Sequence, residues 1–106
     1  METIAKGYNV QPILLDNGQR YVTVRTDIRT LDEINGNVKH SEWYAKKGRA
    51  ISPVLKALLQ GIKAVKAPCP THLQNLTKVQ AKAIRYKIVE GYRAEFGDSV
   101  VLNKNY

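Results

Sequence analysis

Asp16-Asn17-Gly18 stands between two runs rich in apolar and β-branched residues, Ile13 to Leu15 and Tyr21 to Ile28. Residues that accept a positive φ at such a place are what a tight hairpin turn demands, so the chain is committed early to an antiparallel pair. In the second run Val22, Val24 and Ile28 point one way while Tyr21, Thr23, Arg25 and Asp27 point the other. That alternation predicts a half-buried strand with one wet face. A second pair, Asn35-Gly36, separates "TLDEI" from "NVKHSEWYA" and predicts another turn and a third strand around residues 37 to 45, completing a meander. The stretch "RTLDEI" has a second reading, as a single helical turn capped by Thr30.

The back half opens at Ser52-Pro53, an N-cap residue followed by proline at the first helical position. From Val54 to Lys66, the side chains of Val54, Leu55, Leu58, Leu59, Ile62 and Val65 fall in one broad arc, with Lys56, Gln60 and Lys63 opposite. This predicts an amphipathic helix whose apolar side serves the core. "APCP" at 67 to 70 stops it. A second helix starts at Thr71 or Thr77, each of which opens a capping box with Gln74 or Gln80, and runs to Phe96 with Gly97 as its terminator. Ala81, Ile84, Ile88 and Tyr92 form its core stripe, with Val89 and Phe96 at the margin, and Val100 to Leu102 suggest a short tail strand.

The expectation is an α+β fold: a small antiparallel sheet of about three strands followed by two C-terminal helices. The length, 106 residues, is that of one domain, with 1–50 β-rich, 51–97 helical and 98–106 a tail. A single cysteine, Cys69, cannot form an internal disulfide and suits a reducing compartment. No apolar leader opens "METIAKGYNV" and no run spans a bilayer, so a soluble cytoplasmic protein is expected. No metal site, dinucleotide fingerprint or phosphate loop is visible, and no cofactor is expected.

Charge is the strongest functional signal. The net charge is +8, yet residues 1 to 38 and 88 to 106 each sum to −1, and residues 39 to 87 carry eleven Lys/Arg against the lone acid Glu42. Such asymmetry points to a polyanionic partner. Two clusters are candidates to meet it. In "EWYAKKGR" Lys46, Lys47 and Arg49 are available to phosphates, Gly48 permits close backbone approach, and Tyr44 is placed to stack on a base. Trp43 is read chiefly as a core residue, the usual place of a lone tryptophan in a small domain. Farther on, Lys78, Lys82, Arg85 and Arg93 share an arc of about 80° on the second helix, a ridge suited to a sugar-phosphate backbone.

Non-enzymatic nucleic-acid binding, to DNA or RNA, is therefore the expected function. The rival is a regulator, inhibitor or assembly subunit whose basic, tyrosine-rich surface covers an acidic patch on a larger protein. A homodimer would double the basic surface, although no heptad selects one. Catalytic signals are thin. His40 and Glu42, two apart on the expected third strand, would share a face and make a small basic ribonuclease the minor reading. Cys69 between two prolines has cations nearby but no base to activate it, and Asp27, Asp32 and Glu33 lack the spacing of a metal loop.

Overall fold

The computed structural model describes residues 7–104. Strand β1 (Asn9–Leu15) pairs antiparallel with β2 (Arg20–Arg25), in a register running from Asn9 opposite Arg25 to Leu14 opposite Arg20. The predicted turn joins them. Gly18 takes φ +89°, its N–H donates to the Leu15 carbonyl at 3.0 Å, and Asn17 Oδ1 accepts from the Gln19 N–H at 3.0 Å. This is a three-residue loop whose last position needs a residue tolerant of positive φ.

The chain then makes helices α1 (Leu31–Gly36), α2 (Val38–Lys46) and α3 (Pro53–Leu59), strand β3 (Ala64–Lys66), a 3-10 turn at Thr71–Leu73, helix α4 (Lys78–Phe96) and a second 3-10 turn at Asp98–Val100. The α+β class and the three-stranded antiparallel sheet are as expected. Helices outnumber the expected pair, and the origin of the third strand differs. Residues 37 to 45 do not form a strand; they lie in α2 and its N-cap Asn37. The residues of this segment that turn inward are Val38, Ser41 and Tyr44, at spacing three, and Ser41 is fully buried. That is a helical period rather than an alternating one. The alternative reading of "RTLDEI" holds: Thr30 caps α1 and completes a capping box with Glu33.

The third strand comes instead from the end of the expected helix 54–66. Helix α3 stops at Leu59 because Gly61 takes φ +87°, with its N–H bonded to the Leu58 carbonyl at 3.1 Å and the Ile62 N–H bonded to the Ala57 carbonyl at 3.0 Å. This paired arrangement is a glycine-terminated helix end that reverses the chain. Ala64–Lys66 then returns along β1, and the strand order is β2-β1-β3, so β1 is central and the sheet is not a meander. The second expected helix begins at Thr77, which caps α4 with Gln80, while Thr71 opens only a 3-10 turn.

Both faces of the sheet are covered, which corrects the expected wet face of β2. Ile13 and Leu15 of β1 pack with Ile34, Val54, Ala57, Leu58 and Ala64 on the side of α1 to α3, where Tyr21 joins them. Val10 of β1 and Val22 of β2 pack with Ala81 and Val89 of α4 and with Val101 on the other. Arg20 extends over the rings of Tyr92 and Phe96, its guanidinium carbon 5.0 and 4.3 Å from their centroids, tying β2 to α4.

Side-chain amides finish the sheet where backbone strands run out. On the β2 edge Asn103 accepts from the Val22 N–H at 2.8 Å and donates to the Val22 carbonyl at 2.9 Å. On the β3 edge Asn35 does the same for Ala64, at 2.8 and 3.0 Å. Each amide presents a donor and an acceptor side by side, as a neighbouring strand would. Buried Gln11 donates to the carbonyls of Arg29 and Ala67 at 2.7 and 2.9 Å and accepts from the Arg29 N–H at 3.2 Å. It holds the chain that leaves β2 and the chain that leaves β3 against the central strand. Because Val22 turns its peptide groups outward to Asn103, Pro12 opposite it sits in a non-hydrogen-bonded pair, and its missing N–H falls on the β3 side, past the Leu14–Lys66 pair.

Asn103→Ala leaves a buried N–H and C=O without partners, so urea unfolding should show a loss of about 2–4 kcal/mol, larger than for Asn35→Ala at its less buried edge. A change below about 0.5 kcal/mol would mean that water replaces the amide without cost.

Candidate nucleic-acid interface

The basic segment 42 to 49 lies on the last turns of α2 and the bend that follows, rather than on a strand leading into a loop. Gly48 takes φ +70°; its N–H bonds the Ala45 carbonyl at 3.1 Å and the Arg49 N–H bonds the Tyr44 carbonyl at 3.0 Å. The same type of helix end that stops α3 here folds Arg49 back over the helix. Its guanidinium carbon rests 5.7 Å from the Trp43 ring centroid and 5.8 Å from that of Tyr44, and Lys47 Nζ stands 5.7 Å from the Trp43 centroid. The two rings meet edge to face, 5.0 Å apart at 77°.

Trp43 is not a core residue: it is 49% exposed. On a strand its neighbours would alternate across a sheet, but on α2 the inward positions are taken by Val38 and Ser41, which turns Trp43 outward. One turn earlier, Lys39 and His40 complete a shallow hollow with Trp43 and Tyr44. Lys46 is exposed beside them. The outcome is two rings and four cations, Lys39, Lys46, Lys47 and Arg49, with Glu42 the one carboxylate on the helix. The ring faces are attractive to cations and to bases alike.

The helical ridge is divided by the sheet. Lys78 and Lys82 are exposed, but Arg85 and Arg93 are half-buried. Val89, fully buried, falls inside the arc that the four cations define, so this is partly the face that α4 turns to the sheet. Arg85 and Arg93 lay their stems along it, with the Nε of each shielded from solvent. Arg93 donates to the Asn103 carbonyl and so helps hold the tail that closes the β2 edge. Arg85 instead reaches a cleft at that edge, which it lines together with Arg25, Arg29, Thr23, Asn37 and Ser52. Arg25 and Arg29 were not among the sequence candidates; the signal for them was the dense "RTDIR" following the strand.

Of the basic candidates only Arg85 lines this cleft, and the loop cluster approaches it through the chain that leads to Ser52. Arg49 is three residues from Ser52, hence within about 11 Å of it along the chain. Lys82 and Lys78 lie one and two turns before Arg85 on the same side of α4.

Other candidates are accounted for by the fold. His40 and Glu42 stand two apart on a helix, about 200° around its axis, and therefore do not share a face. Asp27 receives a hydrogen bond from Arg25 Nε at 2.8 Å, which holds its carboxyl below the usual carboxylate range. Glu33 is engaged in the α1 cap, and no group of three or more His, Cys, Asp or Glu is placed to hold a metal among the described residues. Cys69 directs its thiol at the Val10 carbonyl, 3.4 Å away, and burial pushes its pKa up. No helix among the described residues is long and apolar enough to cross a membrane.

No protein-family model, curated protein or solved structure matches this chain.

Two measurements test these placements. Trp43 is the one tryptophan, and its emission should resemble that of the free amino acid and be quenched by acrylamide in the folded protein. A blue-shifted, protected emission would return Trp43 to the core. Cys69 should alkylate more slowly than a free thiol at neutral pH, and its rate should rise only above the ordinary thiol range, because burial favours the protonated form.

Proposed function

We propose that the protein is a non-enzymatic, single-strand-preferring nucleic-acid-binding module of the cytoplasm. The observation that carries this reading is the exposed Trp43 ring, packed edge to face on half-buried Tyr44 and bracketed by Lys47 and Arg49. An exposed tryptophan costs solubility and contributes nothing to the core, so its position calls for a partner with a planar face. An unpaired base supplies that face, and stacking is worth about 1–3 kcal/mol per base. When a base occupies the ring, the displaced cation meets the adjoining phosphate. Lys46 in the same bend and Lys78 and Lys82 on α4 extend the contact along the backbone, each neutralised phosphate releasing counterions. A duplex would offer the rings no free base face, which is why a single strand is preferred.

A second reading rests on the same cluster. Tryptophan, tyrosine and arginine dominate the binding energy of protein interfaces, so an acidic protein surface is the competing partner. Salt dependence separates the two.

Titration with a single-stranded oligonucleotide should quench Trp43 fluorescence, and Trp43→Ala should weaken binding by roughly 5- to 150-fold, the equivalent of one stacked base. Lys46→Glu, Lys47→Glu and Arg49→Glu together should lower the slope of log affinity against log salt by about 2, as expected for three phosphates on a single strand. Unquenched tryptophan, or affinity that vanishes at physiological salt and ignores these substitutions, would sink the proposal and direct attention to a protein partner.

A further inference from the structure

The cleft at the β2 edge is not explained by the aromatic cluster. It measures about 280 Å³, has an apolar floor, and is lined by three arginines and no carboxylate. Arg25 is paired with Asp27 at 2.8 Å, but neither Arg29 nor Arg85 forms an ion pair among the described residues. Asp27 and then Glu33 act on Arg29 electrostatically, yet Asp27 takes its hydrogen bond from Arg25 at 2.8 Å and the Glu33 carboxylate is held at the Thr30 N–H, 3.2 Å away. Asn37 and Ser52 add neutral polar groups to the wall.

The Nε of Arg85 is shielded from solvent and has no hydrogen-bond partner among the described residues. Arg85 nevertheless lines the cleft, so an acceptor arriving there would meet its guanidinium through the nitrogens beyond this Nε. Burial first, and then the like charge of Arg25, pushes the Arg29 pKa down, although a guanidinium remains protonated at neutral pH. An anion between Arg29 and Arg85 would offset that like charge.

We propose that this cleft seats a phosphate monoester, the terminal phosphate of a nucleotide or of a nucleic-acid strand. Two guanidinium groups with no carboxylate in ion-pair contact match the nearly double charge of a monoester better than the single charge of a backbone diester. The nucleotide part of the assignment rests on the nucleic-acid reading above: with Arg49 about 11 Å or less from Ser52, a strand that begins in the cleft can run on to the rings of Trp43 and Tyr44.

The test is calorimetric titration of the full chain with inorganic phosphate, adenosine, adenosine monophosphate, and one single-stranded oligonucleotide bearing a 5′-phosphate, a 3′-phosphate or neither. A phosphorylated strand should bind at least about ten-fold tighter than the unphosphorylated one, a difference of about 1.4 kcal/mol. Adenosine monophosphate and phosphate should bind where adenosine does not. Arg29→Gln and Arg85→Gln should each abolish the advantage, whereas Trp43→Ala should weaken all three strands alike. Arg85 is half-buried, so if Arg85→Gln fails to fold, the Arg29→Gln comparison decides. Equal affinity for the three strands, with no binding of phosphate or the monophosphate, overturns the cleft assignment and leaves the nucleic-acid reading standing. Binding of the monophosphate that Arg29→Gln removes, without binding of any strand, upholds the cleft and overturns that reading.

Discussion

A central strand of seven residues, buried on both faces, is the constraint from which the arrangement follows. β1 has only two strand neighbours, one of them three residues long, so most peptide groups at the rim of the sheet lack a backbone partner. Unpaired buried peptide groups are costly, and exposed edges invite pairing with other chains. Asn103, Asn35 and Gln11 meet both problems by standing in for peptide units. Their positions then decide where the surrounding chain goes: Gln11 fixes the bend at Arg29, Asn35 fixes α1 beside β3, and Asn103 brings the tail to β2. The cleft between Arg29 and Arg85 is a product of that bracing, since it opens beyond Val22, after the tail has paired with β2 at Arg20 through the Leu102 N–H and at Val22 through the Asn103 amide.

The parts of the fold that were legible in the sequence are those governed by local hydrogen bonding. The Asp16-Asn17-Gly18 turn and the caps at Thr30, Ser52 and Thr77 all involve donors and acceptors within three residues of each other, so residue type and spacing suffice to read them. The third strand was illegible for the opposite reason. Ala64–Lys66 pairs with residues about fifty positions earlier, and nothing local distinguishes it from the last turn of an amphipathic helix except Gly61, whose positive φ ends α3. Asn35-Gly36 misled in the same way, because Asn35 spends its side chain on Ala64, twenty-nine residues away, rather than on a turn of its own.

The site was legible in charge and illegible in orientation. Composition concentrated the cations in the middle of the chain, and the 42 to 49 segment does gather rings and cations on one surface. Which ring faces water depends on how the segment folds, and the usual burial of a lone tryptophan pointed Trp43 inward, whereas α2 turns it outward. On α4 an arc drawn through the basic residues alone hid Val89 in its middle, and the helix turned that arc partly toward the sheet. Arginine stems are long enough to lie over a buried valine, so polarity by itself does not locate the solvent face.

The bond between Asn103 and Val22 joins residues 81 positions apart. During synthesis on the ribosome, the β1–β2 hairpin has all of its own residues long before its outer rim can be finished. Until residue 103 has left the exit tunnel, Val22 offers an open backbone edge to any extended segment nearby, including a second nascent copy. The closing of this small sheet therefore waits for the synthesis of residue 103, and the rim of the hairpin is completed only after the helices between Val22 and Asn103 have been made.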